Sequence, residues 1–449
     1  MATDEPTPHS GLYDASSGYV DVNTNAGDDQ YTPSRARPPS RFERLVATAI
    51  PPGGVASSAF NLCCSTLGAS IIGIPGGMKA CGVVLGSVLL VLFSACTIYS
   101  IRLLCLASER SGLPSYEAMA RQLLGRFLDR VCTFTMVVFC WGSGVSYIAA
   151  TADLIDPLLD GHVPAFWTST WGVRLITTLF WAVTMLPLAL MREINSLRYV
   201  STFGVIAILY FVGVMVGHSA GNGMAEGNLH RISLISGGAD VLVGVGLVMF
   251  TFCCQPNVLE VYSELQTQTV HQMTKIGGVA MGCCTCLYFL AGFFAYVDFG
   301  ADVKGSVLKN YHLGDNVPLY IAYTCLAVKL TAGHTLCIAP TRDSVLYTLK
   351  LGEYHTADPT KRMIISALLS ASALLVALFI PSLQLLFGFL GGLCGSLLGF
   401  VFPALFAIRA PGWAENSTKW DRIGAWALVV IGAIVFVLGT VASIYESVA

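Results

Sequence analysis

Long apolar stretches separated by short polar loops dominate the chain from about residue 50 to its end. They come in blocks of about 20 residues or more, and at a rise of about 1.5 Å per residue each block crosses a hydrocarbon layer about 30 Å thick. The pattern predicts an all-α integral membrane protein with eleven transmembrane helices. The predicted segments are 55–78, 81–106, 127–151, 171–190, 197–218, 238–262, 275–298, 317–340, 362–380, 383–408 and 423–445.

The first 50 residues differ from the rest in composition. They are rich in Asp, Pro, Ser, Thr and Gly and show no apolar period. A segment of this kind buries too little apolar surface to offset the entropy of ordering. We therefore expect a disordered cytoplasmic tail over residues 1–50, followed by a transmembrane domain over residues 51–449.

The distribution of charge predicts the topology. Only 12% of the residues are charged and the formal net charge is −2, which argues against nucleic acid or another polyanion as a partner. With the N-terminus inside, 19 of the 25 Lys and Arg residues fall in cytoplasmic loops and five fall outside. Positive residues favour the cytoplasmic side, so the N-terminus is expected inside and the C-terminus outside. We expect the plasma membrane, with a vacuolar or lysosomal-type membrane as the alternative.

The 15 cysteines lie within or beside the apolar segments. The doublets Cys63-Cys64 and Cys253-Cys254 lack a His or carboxylate set at ligand spacing. In such places Cys acts as a small hydrophobe. We expect helix packing, with no metal, no cofactor and no catalytic site.

The first apolar segment contains an interruption at mid-membrane depth. Two glycines favour unwinding, and Pro75 lacks an N–H and clashes with the preceding turn. Irregular backbone at this depth lines a cavity or is buried in protein. Taken alone, the segment fits either a plain kink or a binding site. It reads Gly68-Ala69-Ser70-Ile71-Ile72-Gly73-Ile74-Pro75.

A second interruption, at Phe252-Cys253-Cys254-Gln255-Pro256-Asn257, lies in the sixth segment. Segments one and six are the first helices of two successive groups of five. Interrupted helices at matching positions in two halves point to the binding site of a secondary transporter. The pair therefore favours a binding site over a chance kink.

These residues resemble a known family. Phe60-Asn61-Leu62 and Gly68 to Pro75 are similar to the first helix of the amino acid/auxin permease family. The N-terminal tail and the Cys-rich helices most resemble the kinetoplastid members of that family. Two stretches are similar to its sixth helix and one to its third: Cys254-Gln255-Pro256-Asn257-Val258, Val261-Tyr262-Ser263-Glu264-Leu265 and Gly142-Ser143-Gly144-Val145-Ser146-Tyr147.

The resemblance implies a five-plus-five inverted repeat with one extra helix, as in LeuT/APC-like transporters, working by alternating access. It also implies an amino acid bound between the first and sixth helices, within the lipid bilayer. The resulting candidates for substrate binding are Gly68, Ala69, Ser70, Gly73, Tyr147, Cys254, Gln255 and Asn257.

The chain departs from its sodium-coupled relatives at one position. Sodium-coupled neutral amino acid transporters have a sodium-binding Asn in the first helix, and the matching residue here is Cys64, a poor ligand for a hard cation. Lys329 lies in mid-membrane in the eighth segment, with Thr331 and His334 nearby. An intramembrane Lys is costly and marks a functional site by default. We expect Lys329 to supply the charge of a coupling ion or to titrate with a coupling proton; the alternative is a lysine that is satisfied by helix-end carbonyls or that snorkels.

Other functions are less consistent with the sequence. A channel would need a repeated charged ring or a carbonyl filter, and an enzyme a nucleophile–base pair. A sensor that signals through the N-terminal tail remains the main alternative. The sequence contains no central carboxylate for a cationic substrate, which favours a neutral amino acid, although backbone carbonyls at a broken helix can hold a cation too.

Overall fold

The computed structural model describes residues 54–159, 164–191, 197–224, 228–314, 316–348 and 358–448. Within these residues, ten helices are long and apolar enough to span a membrane, and one bent pair of shorter helices makes an eleventh span. The prediction of an all-helical membrane protein is confirmed. The predicted tail over residues 1–50, on which the sensor alternative depends, lies outside the described residues.

Each predicted segment overlaps one observed span. We number the spans in chain order and divide the first and sixth into halves. They are α1a Val55–Thr66, α1b Ser70–Cys81, α2 Val83–Ser111, α3 Arg126–Leu159, α4 Thr170–Leu190, α5 Leu197–Gly221, α6a Asp240–Thr251, α6b Gln255–Ser263, α7 Val270–Phe299, α8 Val317–Thr348, α9 Pro359–Ala377, α10 Leu383–Arg409 and α11 Lys419–Val448.

The helices pack as two groups joined at the breaks. Helix α7 packs on α2 and on both halves of α1, while α6a packs on α1b and α6b on α1a. Helices α3, α8 and α9 form the second group, and α5 lies against both α7 and α8. Helix α10 contacts α3 and α6a, and α11 covers α6a and α10. The two broken helices therefore lie beside each other and run in opposite directions.

The break in α1 is shorter than the sequence predicts. Only Leu67, Gly68 and Ala69 leave the helix, and the two halves meet at 67°. The ψ of 81° at Leu67 lies outside the helical region and turns the chain. Ser70, Gly73 and Pro75 are helical, so the expectation that Pro75 helps to unwind this segment is wrong. The turn at Gly68 is sufficient.

The break in α6 has a local chemical cause. Pro256, in the first turn of α6b, has no N–H to bond the carbonyl of Phe252, so a regular helix would lose a hydrogen bond here. That carbonyl instead accepts from Cys254 N at 2.9 Å. The interruption predicted at Phe252–Asn257 is confirmed at Phe252–Cys254, although Gln255 and Asn257 already belong to α6b.

Candidate functional site

Tyr147 of α3 fills the space beside the α1 break. A Cβ on Gly68 would lie 2.9 Å from the Tyr147 hydroxyl oxygen, and a Cβ on Gly333 of α8 would overlap the Tyr147 ring. Only glycine at both positions allows the ring to pack so closely. Two predicted substrate-binding residues, Gly68 and Tyr147, are thus in direct contact, and Gly333 is a partner that the sequence did not reveal.

The start of α1b presents backbone donors. Gly68 N donates to the Thr66 carbonyl at 2.9 Å and Ile72 N donates to the Ala69 carbonyl at 3.1 Å, whereas the N–H groups of Ala69, Ser70 and Ile71 have no backbone partner among the described residues. The first N–H groups of a helix have no carbonyl of their own and carry the positive end of its dipole. The Tyr147 hydroxyl lies beside this point, against Gly68. This corner combines helix N–H groups with a phenol, which is a natural receptor for a carboxylate.

Lys329 reaches the opposite side of the same break. Its Nζ donates to the carbonyl of Cys64 at 3.4 Å, and its side chain is 4% exposed. A Cβ on Gly204 of α5 would lie 2.5 Å from Lys329 Cδ, so the lysine stem lies directly over that glycine. The two residues that the sequence associated with coupling, Cys64 and Lys329, are therefore in contact through the Cys64 backbone.

Tyr288 of α7 touches both breaks. Its hydroxyl donates to the carbonyl of Thr66, the last residue of α1a, at 2.9 Å, and lies 3.4 Å from the carbonyl of Thr251, the last residue of α6a. Its ring packs edge-on against Phe252, with centroids 5.6 Å apart. The sequence analysis missed Tyr288. The signal available was a Tyr in the middle of an apolar helix, which needs a buried hydrogen-bond partner.

Gln255 faces away from the α1 break. Its Nε2 donates to Ser100 Oγ of α2 at 3.3 Å, and that hydroxyl donates to the carbonyl of Gly399 in α10. Its Oε1 is buried and has no hydrogen-bond partner among the described residues. These contacts tie α6b to α2 and α10.

The other candidates fall into two groups. Ser70 and Cys254 are buried at the breaks. Gly73 is helical, and a Cβ there would lie 3.0 Å from Phe387. Asn257 is exposed on α6b. Gly73 and Asn257 therefore lie outside the cluster of Gly68, Tyr147, Ser70 and Tyr288.

The breaks are almost free of charge. Lys79 is the only charged residue between Val55 and Cys81, and α6 carries charge only at Asp240 and Glu260, near its ends. Lys329 is the only Asp, Glu, Lys or Arg between Val317 and Thr341 of α8. Lys329 is therefore the one Asp, Glu, Lys or Arg near the middle of these three helices.

Comparison with known proteins identifies the family. The family model described as "Transmembrane amino acid transporter protein" matches residues 51–445. This chain belongs to that family. The predicted resemblance is confirmed, and the chain is a multi-pass membrane transporter rather than an enzyme.

Three curated relatives of the transporter are similar over most of its length. "Amino acid transporter AVT6E" of Arabidopsis thaliana is 27% identical over 413 residues, covering 88% of this chain and 83% of the relative. "Sodium-coupled neutral amino acid symporter 2" of Danio rerio is 24% identical, covering 84% and 79%. "Solute carrier family 38 member 10" of Rattus norvegicus is 27% identical over 82% of this chain but only 34% of its own length.

His334 of the transporter belongs to a hydrogen-bond chain among α3, α4, α8 and α9. Its Nδ1 lies 3.1 Å from the Gly144 carbonyl and its Nε2 lies 2.9 Å from Ser370 Oγ, which accepts from Trp181 Nε1 at 2.9 Å. A carbonyl only accepts, so Nδ1 carries the proton, and Ser370 donates to Nε2. These contacts support a packing role. Thr331 bonds the Ala327 carbonyl of its own helix at 2.9 Å.

A loop covers the α1b side of the breaks in the transporter. The loop between α7 and α8 packs on α1b and α3, where Lys309 Nζ lies 2.6 Å from an Asp153 carboxylate oxygen. Lys79 Nζ donates to the Val303 carbonyl of the same loop at 3.0 Å. On the other side, Asn61 of α1a and Asn257 of α6b are exposed. The site is therefore covered on one side and bordered by exposed polar residues on the other.

Proposed function

We propose that the protein carries a neutral amino acid across the membrane, with the substrate held between the breaks of α1 and α6. The substrate carboxylate meets the first N–H groups of α1b and the Tyr147 hydroxyl. Its amino group lies near the end of α6a, where the helix dipole is negative. The single observation that carries this proposal is the opened start of α1b beside Tyr147.

A neutral side chain follows from the charges of the site. A cationic substrate would enter next to the Lys329 ammonium, which donates to the α1a backbone. Two like charges in a medium of low dielectric repel strongly. No Asp or Glu lies between Val55 and Cys81, or between Val241 and Leu259, to offset that repulsion.

Transport by alternating access within a five-plus-five inverted repeat is part of the proposal. Corresponding helices of the two groups of five pack against each other, since α1 contacts α6, α2 contacts α7 and α3 contacts α8. The halves of α1 and α6 pair in opposite directions, as the two members of an inverted repeat do. The covered α1b side and the exposed residues of α1a and α6b are consistent with one end state of the alternating-access cycle, in which the substrate site opens to one side of the membrane.

Lys329 provides the coupling charge in this proposal. A related protein is named as a sodium-coupled neutral amino acid symporter. Here the Lys329 ammonium bonds the Cys64 carbonyl, and backbone carbonyls of broken helices are the groups that coordinate sodium or bind protons in transporters. A fixed ammonium at such a carbonyl replaces a bound cation or releases its proton during the transport cycle.

The proposal also places the N-terminus inside, because Lys and Arg are concentrated in the loops on that side. The membrane in this proposal is the plasma membrane.

Radiolabelled uptake in a transport-deficient host tests the function. We expect saturable uptake of a neutral amino acid, competed by other neutral amino acids more strongly than by arginine or lysine. The assay is run with sodium or choline and with or without a pH gradient. Absence of uptake of any amino acid at verified expression would refute the proposed function, and preferential uptake of arginine or lysine would refute the neutral substrate.

A further inference from the structure

The buried ends of α1a and α6a lie next to each other at the candidate site. Helix α1a ends at Thr66 and α6a at Thr251, and both residues are buried. The last carbonyls of a helix have no donor within the helix and carry the negative end of its dipole. Two such ends close together need positive charge or hydrogen-bond donors between them. In transporters with broken helices, sodium or a proton fulfils this need.

Backbone donors satisfy most of the carbonyls around these ends. The carbonyl of Cys63 accepts from Leu67 N at 2.8 Å, and that of Phe250 accepts from Cys253 N at 3.2 Å. The carbonyl of Cys64 accepts from Lys329. The carbonyl of Thr66 accepts from Gly68 N at 2.9 Å and can accept a second hydrogen bond, whereas no backbone N–H among the described residues donates to the carbonyl of Thr251.

The Tyr288 hydroxyl lies between these two carbonyls. It is 2.9 Å from the Thr66 carbonyl oxygen and 3.4 Å from that of Thr251, and the Tyr288 side chain is fully buried. One phenol therefore contacts the end of α1a and the end of α6a.

We propose that Tyr288 is a positioning residue that takes the place of a cation between the ends of α1a and α6a. Its single proton is donated mainly to Thr66, at the shorter distance, and the proton is polarised toward Thr251 as well. Because the donor is part of the chain, it is present whether or not a cation is available. The two breaks are thereby held at a fixed spacing for the substrate. This inference rests on the proposed function.

Tyr288 and Lys329 act on the same helix end from two sides. Tyr288 approaches Thr66 from α7, while Lys329 approaches Cys64, two residues earlier, from α8. Lysine supplies a full charge at one carbonyl, and the phenol supplies a dipole between two helices. The roles are separable, because only the loss of Tyr288 leaves the α6a end without its donor.

The test compares Tyr288→Phe with Tyr296→Phe in the full-length transporter. Tyr296 lies two turns further along α7, is also buried, and accepts only from Ser233 N at a loop. Equilibrium binding of the transported amino acid is measured on purified protein in sodium chloride and in choline chloride. Removing the hydroxyl leaves a space of about one water molecule, which a small cation can enter.

We expect Tyr288→Phe to bind the amino acid about tenfold more weakly in choline, as the loss of a hydrogen bond to a buried carbonyl requires. Sodium should restore at least about a third of the wild-type affinity in this variant. Wild type and Tyr296→Phe should bind equally in both salts.

Three outcomes would overturn the inference. In the first, Tyr288→Phe binds like wild type in choline. In the second, it is weakened equally in both salts while its melting temperature matches that of Tyr296→Phe, which is the result for a purely structural hydroxyl. In the third, the wild-type protein itself requires sodium to bind the amino acid. This result overturns the inference even if Tyr288→Phe does not fold. If wild type binds and transports no amino acid, the proposed function has failed instead.

Discussion

The two broken helices look alike in sequence but differ in geometry. Helix α1 turns by 67° between its halves, whereas α6 passes through its break as one span from Asp240 to Ser263. Phe252 and Cys254, the first and last residues of the α6 break, keep φ near −100° and ψ near 0°, close to the helical region. Leu67, with ψ of 81°, does not.

Because of this difference in geometry, the two breaks expose different backbone groups. The wide turn in α1 separates the start of α1b from the end of α1a, so donors and acceptors become available side by side. The α6 break frees carbonyls but keeps the helix direction, and its polar Gln255 is bonded to Ser100 of α2. We therefore expect substitutions at the α1 break to change transport and those at the start of α6b to change mainly packing. Four predictions, from the largest effect to the smallest, test this division.

Replacing Lys329 should have the largest effect. Lys329→Ala removes a buried ammonium from the Cys64 carbonyl, and Lys329→Gln keeps a donor without the charge. A hydrogen bond to a charged group contributes about 1.5–3 kcal/mol, so we expect uptake to fall at least about tenfold in Lys329→Ala. Uptake is measured across pH, with and without sodium. The exposed Lys275→Ala is the matched control and should stay within about twofold of wild type.

Lys329 has no role in the mechanism if both Lys329 variants transport at the wild-type rate and respond to sodium and pH as the wild type does. A lysine that merely snorkels gives this result.

Gly68→Ala should lower uptake about tenfold. The new Cβ would lie 2.9 Å from the Tyr147 hydroxyl, closer than two such atoms approach without a shift. Overpacking of this kind costs about 1–3 kcal/mol. Gly213→Ala on α5 is the control, because a Cβ there meets nothing within 4 Å, and it should leave uptake unchanged.

A double variant tests whether the steric clash between the new Cβ and the Tyr147 hydroxyl causes the loss of uptake in Gly68→Ala. Because the hydroxyl is the atom in the way, Gly68→Ala with Tyr147→Phe should transport no worse than Tyr147→Phe alone. Strictly additive losses in uptake would show that Gly68 and Tyr147 do not meet in the working protein.

Gln255→Met should change uptake less than about threefold. The substitution removes the bond to Ser100, worth about 1 kcal/mol, but it also removes a buried acceptor without a partner. These effects oppose each other, so the melting temperature should change little. A loss of substrate affinity above tenfold at unchanged thermal stability would place Gln255 in contact with the substrate.

Asn257→Ala should have the smallest effect, within about twofold of wild type. The residue is exposed, and such positions rarely contribute more than about 0.5 kcal/mol. Uptake kinetics at saturating and limiting substrate give the KM and the maximal rate separately. A selective rise in KM would restore Asn257 as a substrate ligand.

The sequence predicted the helices well because the apolar blocks and the loop charges are local signals. It also located both breaks, since Gly68 and Pro256 act on their own backbone. It assigned too long a break to α1, because a proline such as Pro75 can be accommodated inside a helix by its surroundings. Tyr288 and Gly333 were missed because their roles arise only when α7 and α8 pack on α1 and α3, and no local pattern encodes that packing.

The 67° turn at Gly68 also gives α1a mechanical leverage. Twelve residues at about 1.5 Å each make α1a an arm about 18 Å long. A rotation of about 10° about the break moves the Val55 end by about 3 Å, close to the diameter of a water molecule, while the atoms next to Gly68 move only a few tenths of an ångström. A small rearrangement around a bound ligand is thus converted into an opening large enough to hydrate a pathway.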